Sequence, residues 1–326
     1  MKNIDDNYFQ ILPVFYFSDE SVAQSVSSDM DRALAKATKV ITLHSITAKP
    51  EMRKGPVTQK QKDFYNKKEF NKWIDKNLLL MGKSYVYKRQ FNLALETFRR
   101  LITDFPAEKS RYEALIWMAR AYNESNEFRE SERILNLVDN DKDLPKKLRG
   151  DLYITYSDLY IKQGNYEKAI PWMEKGLKCS LKKKPKIRYT YILAQLYEET
   201  GSTEYASKKY REVIKMNPPY EMTFNAKINM ASNFTSGQDD GRSIQTQLKK
   251  MLKDQKNTDY LDKIYYALGE VEMKLGNEEE ALNYFRLSIS SNSTNYFQKG
   301  QIYLTLGDIY FDRKEYPFAQ AYYDSS

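Results

Sequence analysis

The side chains in this 326-residue chain that are best suited to specific chemistry are Lys83, Arg120, Asn123 and Gln195, with Tyr87, Tyr191 and Tyr266 as companions. The first four offer charged and amide groups that can hydrogen-bond an extended backbone or a carboxylate. The tyrosines offer large amphipathic rings that anchor a bound segment. That chemistry is recognition rather than bond-making, and the chain offers little else. His44, the one histidine, has no Cys or carboxylate cluster around it, so it reads as a surface or packed residue and not as a ligand. Cys179, the one cysteine, excludes an internal disulfide. Neither a Gly-rich phosphate loop nor a nucleophile elbow is present. The acids Asp239-Asp240 and Glu278-Glu279-Glu280 fall in turns or helix starts, where they favour helix N-termini. The expectation is a protein without enzymatic activity, cofactor, metal or small-molecule substrate.

The elements that would position these residues follow from a repeat. Tyr85, Tyr122, Tyr160, Tyr197 and Tyr310 share one beat with Phe234 and Glu272, in steps of 37, 38, 37, 37, 38 and 38 residues. Self-similarity at about 20–50 residues signals a solenoid or array. Small residues (Gly82, Ala119, Ser157, Ala194, Ala231, Gly269, Gly307) recur three residues before the beat, where two antiparallel helices would cross closely. Ala94, Ala169, Ala206, Ala281 and Ala319 sit opposite on the second helices. This resembles the tetratricopeptide pattern, with a period a few residues longer than its usual one of about 34. The fifth repeat is the weakest: Ile244, Leu248 and Met251 run one residue out of phase, and the turn Ser236–Gly241 absorbs the slip.

The fold expected is all-α: a right-handed superhelical solenoid of about seven such helix pairs over residues 75–326, preceded by an extended aromatic arm and extra helices over 1–74 that pack on it. First helices would line the concave face. The beat then turns inward Lys83, Tyr87, Arg120, Asn123, Asp158, Tyr191, Gln195, Asn225, Ile228, Tyr266 and Glu270. The seventh pair stops at Asp324-Ser325-Ser326 without a polar cap, so the native chain is expected to continue.

Residues 8–17, Tyr-Phe-Gln-Ile-Leu-Pro-Val-Phe-Tyr-Phe, read as an aromatic, Pro-interrupted extended stretch. It either packs on its own chain or docks strand-like on a partner, with Tyr8, Phe9, Phe15, Tyr16 and Phe17 as the contacts. A helix is expected to start at Ser18-Asp19-Glu20 and run to about His44, with a linker near Lys49–Pro56 and a second long helix from about Gln59 to Arg89.

The net charge is +8 and the estimated pI about 9.1. The densest basic cluster is Lys178, Lys182, Lys183, Lys184, Lys186 and Arg188. Its plain reading is solvated helix ends, with the helix dipole favouring lysine there. An anionic membrane or an acidic protein is the next reading. Nucleic acid comes last, since no binding motif accompanies the cluster. No apolar run reaches the roughly 18 residues of a membrane span, and Asp5-Asp6-Asn7 disqualify the first residues as a signal peptide.

Two stretches carry a further resemblance. One is Ile11-Leu12-Pro13-Val14-Phe15 with Met30-Asp31-Arg32-Ala33, Ala37-Thr38-Lys39-Val40-Ile41 and His44-Ser45. The other is Asn71-Lys72-Trp73-Ile74-Asp75 with Leu79-Leu80-Met81-Gly82-Lys83-Ser84-Tyr85 and Ala94-Leu95-Glu96-Thr97-Phe98. Over residues 8–125 the chain resembles the tetratricopeptide lipoproteins of the Bacteroidota type IX secretion and gliding-motility apparatus, the PorW/SprE type. The resemblance implies an interaction scaffold on the periplasmic side of the outer membrane. It also implies a large outer-membrane translocon protein as partner, with other secretion or motility subunits. Such a lipoprotein needs a leader and a lipid-carrying Cys; no Cys precedes Cys179, so that anchor is expected outside this sequence. The alternative is a generic tetratricopeptide adaptor, cytoplasmic, that binds an extended peptide in its concave groove. An RNA-associated helical-repeat protein is the third.

Overall fold

A computed structural model describes residues 8, 10–51, 55–235, 241–291 and 296–326. Among these there are sixteen α-helices and no strand. The helices α1 (Glu20–His44) and α2 (Gln59–Tyr65) come first. Then follow pairs: α3 (Ile74–Tyr87) with α4 (Phe91–Asp104), α5 (Ser110–Glu124) with α6 (Phe128–Asp139), and α7 (Arg149–Lys162) with α8 (Tyr166–Lys178). The later pairs are α9 (Lys183–Glu199) with α10 (Thr203–Lys215), α11 (Tyr220–Ser232) with α12 (Gly241–Leu252), α13 (Leu261–Lys274) with α14 (Glu278–Ser290), and α15 (Tyr296–Asp312) with α16 (Tyr316–Tyr323). The chain divides into two compact units, residues 1–189 and 190–326. The arm and α1 belong to the same unit as the first three pairs.

The two helices of a pair are built differently. A second helix buries one stripe: α4 hides Ala94, Leu95, Phe98 and Leu101, spaced to share one face, and leaves the rest in water. A first helix is covered more nearly all round: α5 buries Tyr112, Ala114, Ile116, Met118, Ala119, Arg120, Ala121, Tyr122 and Asn123. The crossing is tight at the small residues. A Cβ added at Gly82 would lie 2.2 Å from Phe98 Cε1. Where the second pair has Ser131 in place of Ala, its hydroxyl is satisfied by donating 3.1 Å to Ala119 O and 2.6 Å to Asn123 Oδ1.

In six of the pairs the turn needs a left-handed residue, and it falls on the same beat. Gly164, Gly201 and Gly276 have φ of 70–80° there, and Arg89, Asn126 and Lys314 have φ of 57–64°. Of the turn Ser236–Gly241, expected to absorb the slip of the fifth repeat, residues 236–240 lie outside the described residues and Gly241 opens α12. Beyond it, α12 places Ile244, Leu248 and Met251 in one core with Phe224, Phe234 and Leu268.

Helix α1 begins where the sequence suggested, with Asp19 accepting 2.8 Å from Ser21 N as its cap. The long helix expected from Gln59 to Arg89 is instead two helices. Between them the carboxylate of Glu69 accepts the backbone N–H groups of Ile46 at 2.7 Å and Asn71 at 2.8 Å and the Ser45 hydroxyl. Asn71 Oδ1 then takes the Trp73 N–H at 3.0 Å. These side-chain acceptors claim backbone groups that a continuous helix would need.

Candidate functional site

In the unit of residues 1–189, the inner face formed by α3, α5, α7 and the start of α9 is not empty. The arm lies on it. Leu12, Val14, Phe15 and Phe17 are buried. Phe17 stacks with Phe15 at 5.2 Å and meets Tyr87 of α3 at 5.4 Å and Trp117 of α5 at 5.5 Å. The Arg120 guanidinium stands 4.3 Å over Phe15 and 4.8 Å from Trp117. Polar anchors fix both ends. Arg188 donates to Pro13 O at 2.8 and 3.1 Å and lies 4.1 Å over Tyr16. Arg89 donates to Ser18 O at 3.1 Å, and the Ser18 hydroxyl donates to Glu124 Oε1 at 2.5 Å. Of the two uses expected for this segment, packing on its own chain is what the structure shows for Phe15, Tyr16 and Phe17. Tyr8 is half-buried, and Phe9 lies outside the described residues.

Below the arm runs a line of paired ionisable groups. Arg120 is buried; it donates to Thr155 Oγ1 at 3.0 Å and to Asp151 Oδ1 at 2.9 Å. Asn123 is fully buried and donates to Asp158 Oδ2 at 2.7 Å. Lys162 reaches the enclosed side chain of Glu124 at 3.1 Å, and Arg89 reaches it at 3.6 Å. Burial, with Glu124 nearby, pushes the Asp158 carboxyl up to about 6. Lys83 pairs with Glu113 and lies 5.3 Å over Trp117. Burial raises the Tyr87 phenol, and raises Tyr189 to about 12.

In the other unit, Tyr191 and Gln195 are buried. Tyr191 meets Tyr210 edge-on at 5.2 Å, and Tyr210 donates 2.6 Å to Glu198. Ser232 donates 2.7 Å to Glu270, whose carboxyl burial holds above its usual range. Tyr266 is half-buried, 5.7 Å from Phe285, and burial pushes its phenol up to about 12.

The sequence-derived set is therefore split. Lys83, Tyr87 and Arg120 come together on one inner face with Phe15, Tyr16 and Phe17. Asn123, Tyr191 and Gln195 are buried in packing, and so is Arg120, so none of the four presents an open groove surface. Trp117, Glu124, Asp151 and Tyr189 escaped the sequence reading. Glu124 was legible as the residue two past the beat, the position Tyr87 holds in the first repeat.

The inner face also leaves a cleft of about 500 Å³. Its lining includes Phe15, Tyr16, Tyr87, Trp117, Arg120, Asp151, Lys182, Lys183, Lys184, Arg188 and Tyr189. The basic cluster is thus at its lip. The dipole argument for that cluster is corrected in part: Lys178 ends α8, where a cation is favoured, but Lys183, Lys184 and Lys186 open α9, where it is not. No group of His, Cys, Asp and Glu fit to hold a metal exists among the described residues. No helix among them is long and apolar enough to cross a membrane.

Comparison with known proteins agrees with this helical-pair architecture. Residues 76–107, 150–180 and 262–295 match tetratricopeptide repeat families. A search of curated proteins gives no match. Among solved structures, the chain is similar to the apo form of the quorum sensor NprR from B. thuringiensis (18% identity, 66% of this chain and 64% of that one, TM-score 0.43). It is also similar to a tetratricopeptide repeat protein from Parabacteroides merdae (15% identity, 89% of this chain and 99% of that one, TM-score 0.40). A third is a Rap protein complexed with Competence and Sporulation Factor (17% identity, 77% and 74%, TM-score 0.45). The match spans less than two thirds of NprR. Its helix pairs keep one beat, and three of them, α3 with α4, α7 with α8 and α13 with α14, match tetratricopeptide repeats.

Proposed function

We propose that this chain is a non-catalytic protein-interaction scaffold of type IX secretion, and in gliding species of motility. It works on the periplasmic side of the outer membrane and binds the large translocon barrel. The observation that carries the scaffold reading is the inner face of residues 1–189. Its enclosed charged groups are spent on each other and on the arm: Arg120 on Asp151, Lys162 on Glu124, Arg188 on Pro13 O, while Lys182, Lys183 and Lys184 stay exposed at the lip of the cleft. Such an arrangement holds a surface rigid, as a binding scaffold requires. The secretion reading rests on the resemblance of residues 8–125 to the PorW/SprE type. The two stretches that carry it are neighbours in space, since Ser45 bonds Glu69 just before the second stretch begins, and Phe17, just after Phe15, packs on Tyr87, just after Tyr85. A lipid anchor outside the given sequence supplies the membrane attachment.

The test is affinity capture of the tagged full-length protein from detergent-solubilised envelopes of its native host, read by mass spectrometry. The expected result is a very large outer-membrane barrel in near-equal amount. Recovery of soluble cytosolic proteins alone overturns it. One observation favours the adaptor reading instead: this inner face already holds an apolar segment, residues 12–17, by backbone carbonyl bonds and aromatic contacts, although the arm expected to be extended bends at Val14 and closes in a 3-10 turn at Tyr16–Ser18. Capture of short peptides with no large partner would select that reading.

A further inference from the structure

We infer that the cleft between the arm and helices α5, α7 and α9 is a binding site for a short acidic segment of a partner protein carrying one aromatic or long aliphatic side chain. This goes beyond the scaffold reading and does not depend on which machinery the scaffold serves. The cleft volume of about 500 Å³ lies within the roughly 300–1,000 Å³ of ordinary ligand sites. Its walls are aromatic: Phe15, Tyr16, Tyr87, Trp117 and Tyr189. Its lip carries five cations, Arg120, Lys182, Lys183, Lys184 and Arg188, against the single carboxylate of Asp151.

The cations are not equivalent. Arg120 is neutralised by Asp151, and Arg188 holds the Pro13 carbonyl. Lys182, Lys183 and Lys184 are exposed, and among the described residues they make no side-chain ion pair or hydrogen bond. Two of them stand in the first turn of α9, where the helix dipole opposes a positive charge. Three uncompensated lysines beside an aromatic hollow complement carboxylates flanking an apolar side chain. A recessed cleft admits an inserted side chain, as a lipid surface would not. The half-exposed Asp151 on the facing wall disfavours a continuous run of phosphates.

The probe is the fluorescein-labelled pentapeptide Glu-Asp-Phe-Asp-Glu, followed by anisotropy with the full chain. Saturable binding is expected, weakened roughly tenfold or more by combining Lys182→Glu, Lys183→Glu and Lys184→Glu. A similar loss is expected when the central Phe is replaced by Gly. The triple variant keeps its fold, because acids at a helix start favour the helix; an unchanged Trp emission spectrum checks this. A Tyr189→Ala variant, which keeps every lip charge, weakens the Phe peptide but leaves the Gly peptide unchanged. Three results overturn the inference: no saturation by about 1 mM peptide, equal affinity in the triple variant, or equal affinity of the Phe and Gly peptides. Tighter binding of phosphatidylglycerol vesicles or of a uridine oligomer than of the peptide, lost in the triple variant, reassigns the lip to lipid or RNA and also overturns it.

Discussion

Asp158→Asn should stabilise the first unit at neutral pH and flatten its pH dependence. Asp158 is fully enclosed on α7, bonded to Asn123 and close to Glu124, a half-buried residue whose side chain is enclosed. Those two acids share the cation of Lys162. Burial is the main cause that lifts the Asp158 carboxyl from its reference of 3.8 to about 6. The sign follows from proton binding. A folded pKa above the unfolded one means the native state holds a proton that the unfolded chain releases. The stabilisation is therefore fully present below the unfolded pKa and is lost as pH rises through about 6. A shift of about two units at about 1.4 kcal/mol each puts the loss near 3 kcal/mol between acid and neutral pH. Asparagine retains an acceptor for Asn123 and carries no charge to bury. All three tryptophans, Trp73, Trp117 and Trp172, lie in the first unit, so their emission reports its unfolding alone. Urea titrations at pH 5 and pH 7.5 should bring the variant above the wild type at pH 7.5, with the two closer at pH 5. If the wild-type and variant stabilities run parallel across that range, the reasoning fails.

Phe17→Ala should cost about 3–5 kcal/mol in the same titration, as for other buried rings, and red-shift Trp117 emission by opening it to water, since Phe17 covers that indole. Gly82→Ala should destabilise by about 1–3 kcal/mol despite alanine's helix propensity, because its methyl collides with Phe98; adding Phe98→Leu should recover part of the loss. Arg89→Gly and Asn126→Gly occupy equivalent left-handed turn positions but should differ in sign. The first relieves about 1–2 kcal/mol of backbone cost but removes a charge-assisted bond to Ser18 O worth about 1.5–3 kcal/mol, for a net loss. The second gives up no comparable anchor and should gain about half a kcal/mol or less by chemical denaturation.

What the sequence made legible was whatever depends on local periodicity. The beat from Tyr85 to Tyr310 located the pairs, and the small residue three before it located the crossings, which Gly82 against Phe98 displays in atomic detail. The break at Glu69 was not legible, because it depends on a carboxylate reaching Ile46 N, 23 residues away. The same holds for the site. Phase alone nominated Lys83, Tyr87 and Arg120 as inward, but phase does not say what covers an inward residue. Asn123 and Tyr191 are inward and buried, one under a polar cluster and one under Tyr210.

The deciding contact for the first unit links residues 175 apart in sequence, Arg188 and Pro13. No repeat encodes it, since Arg188 lies in the basic run at the start of α9 and Pro13 precedes the array. A periodic scaffold becomes a specific one at such aperiodic residues. Arg89 makes the point within a single turn. Glycine would serve its φ of 57° at lower cost, as it does at Gly164, Gly201 and Gly276. The side chain retained there instead binds the arm, so backbone strain in the first pair is offset by that contact. If that exchange is the reason for arginine, restoring glycine should loosen the arm before it loosens the helices. Hydrogen exchange at Phe15–Ser18 should then rise in Arg89→Gly while amides of α3 and α4 stay protected. Uniform loss of protection across α3, α4 and the arm would instead make Arg89 an ordinary contributor to the fold.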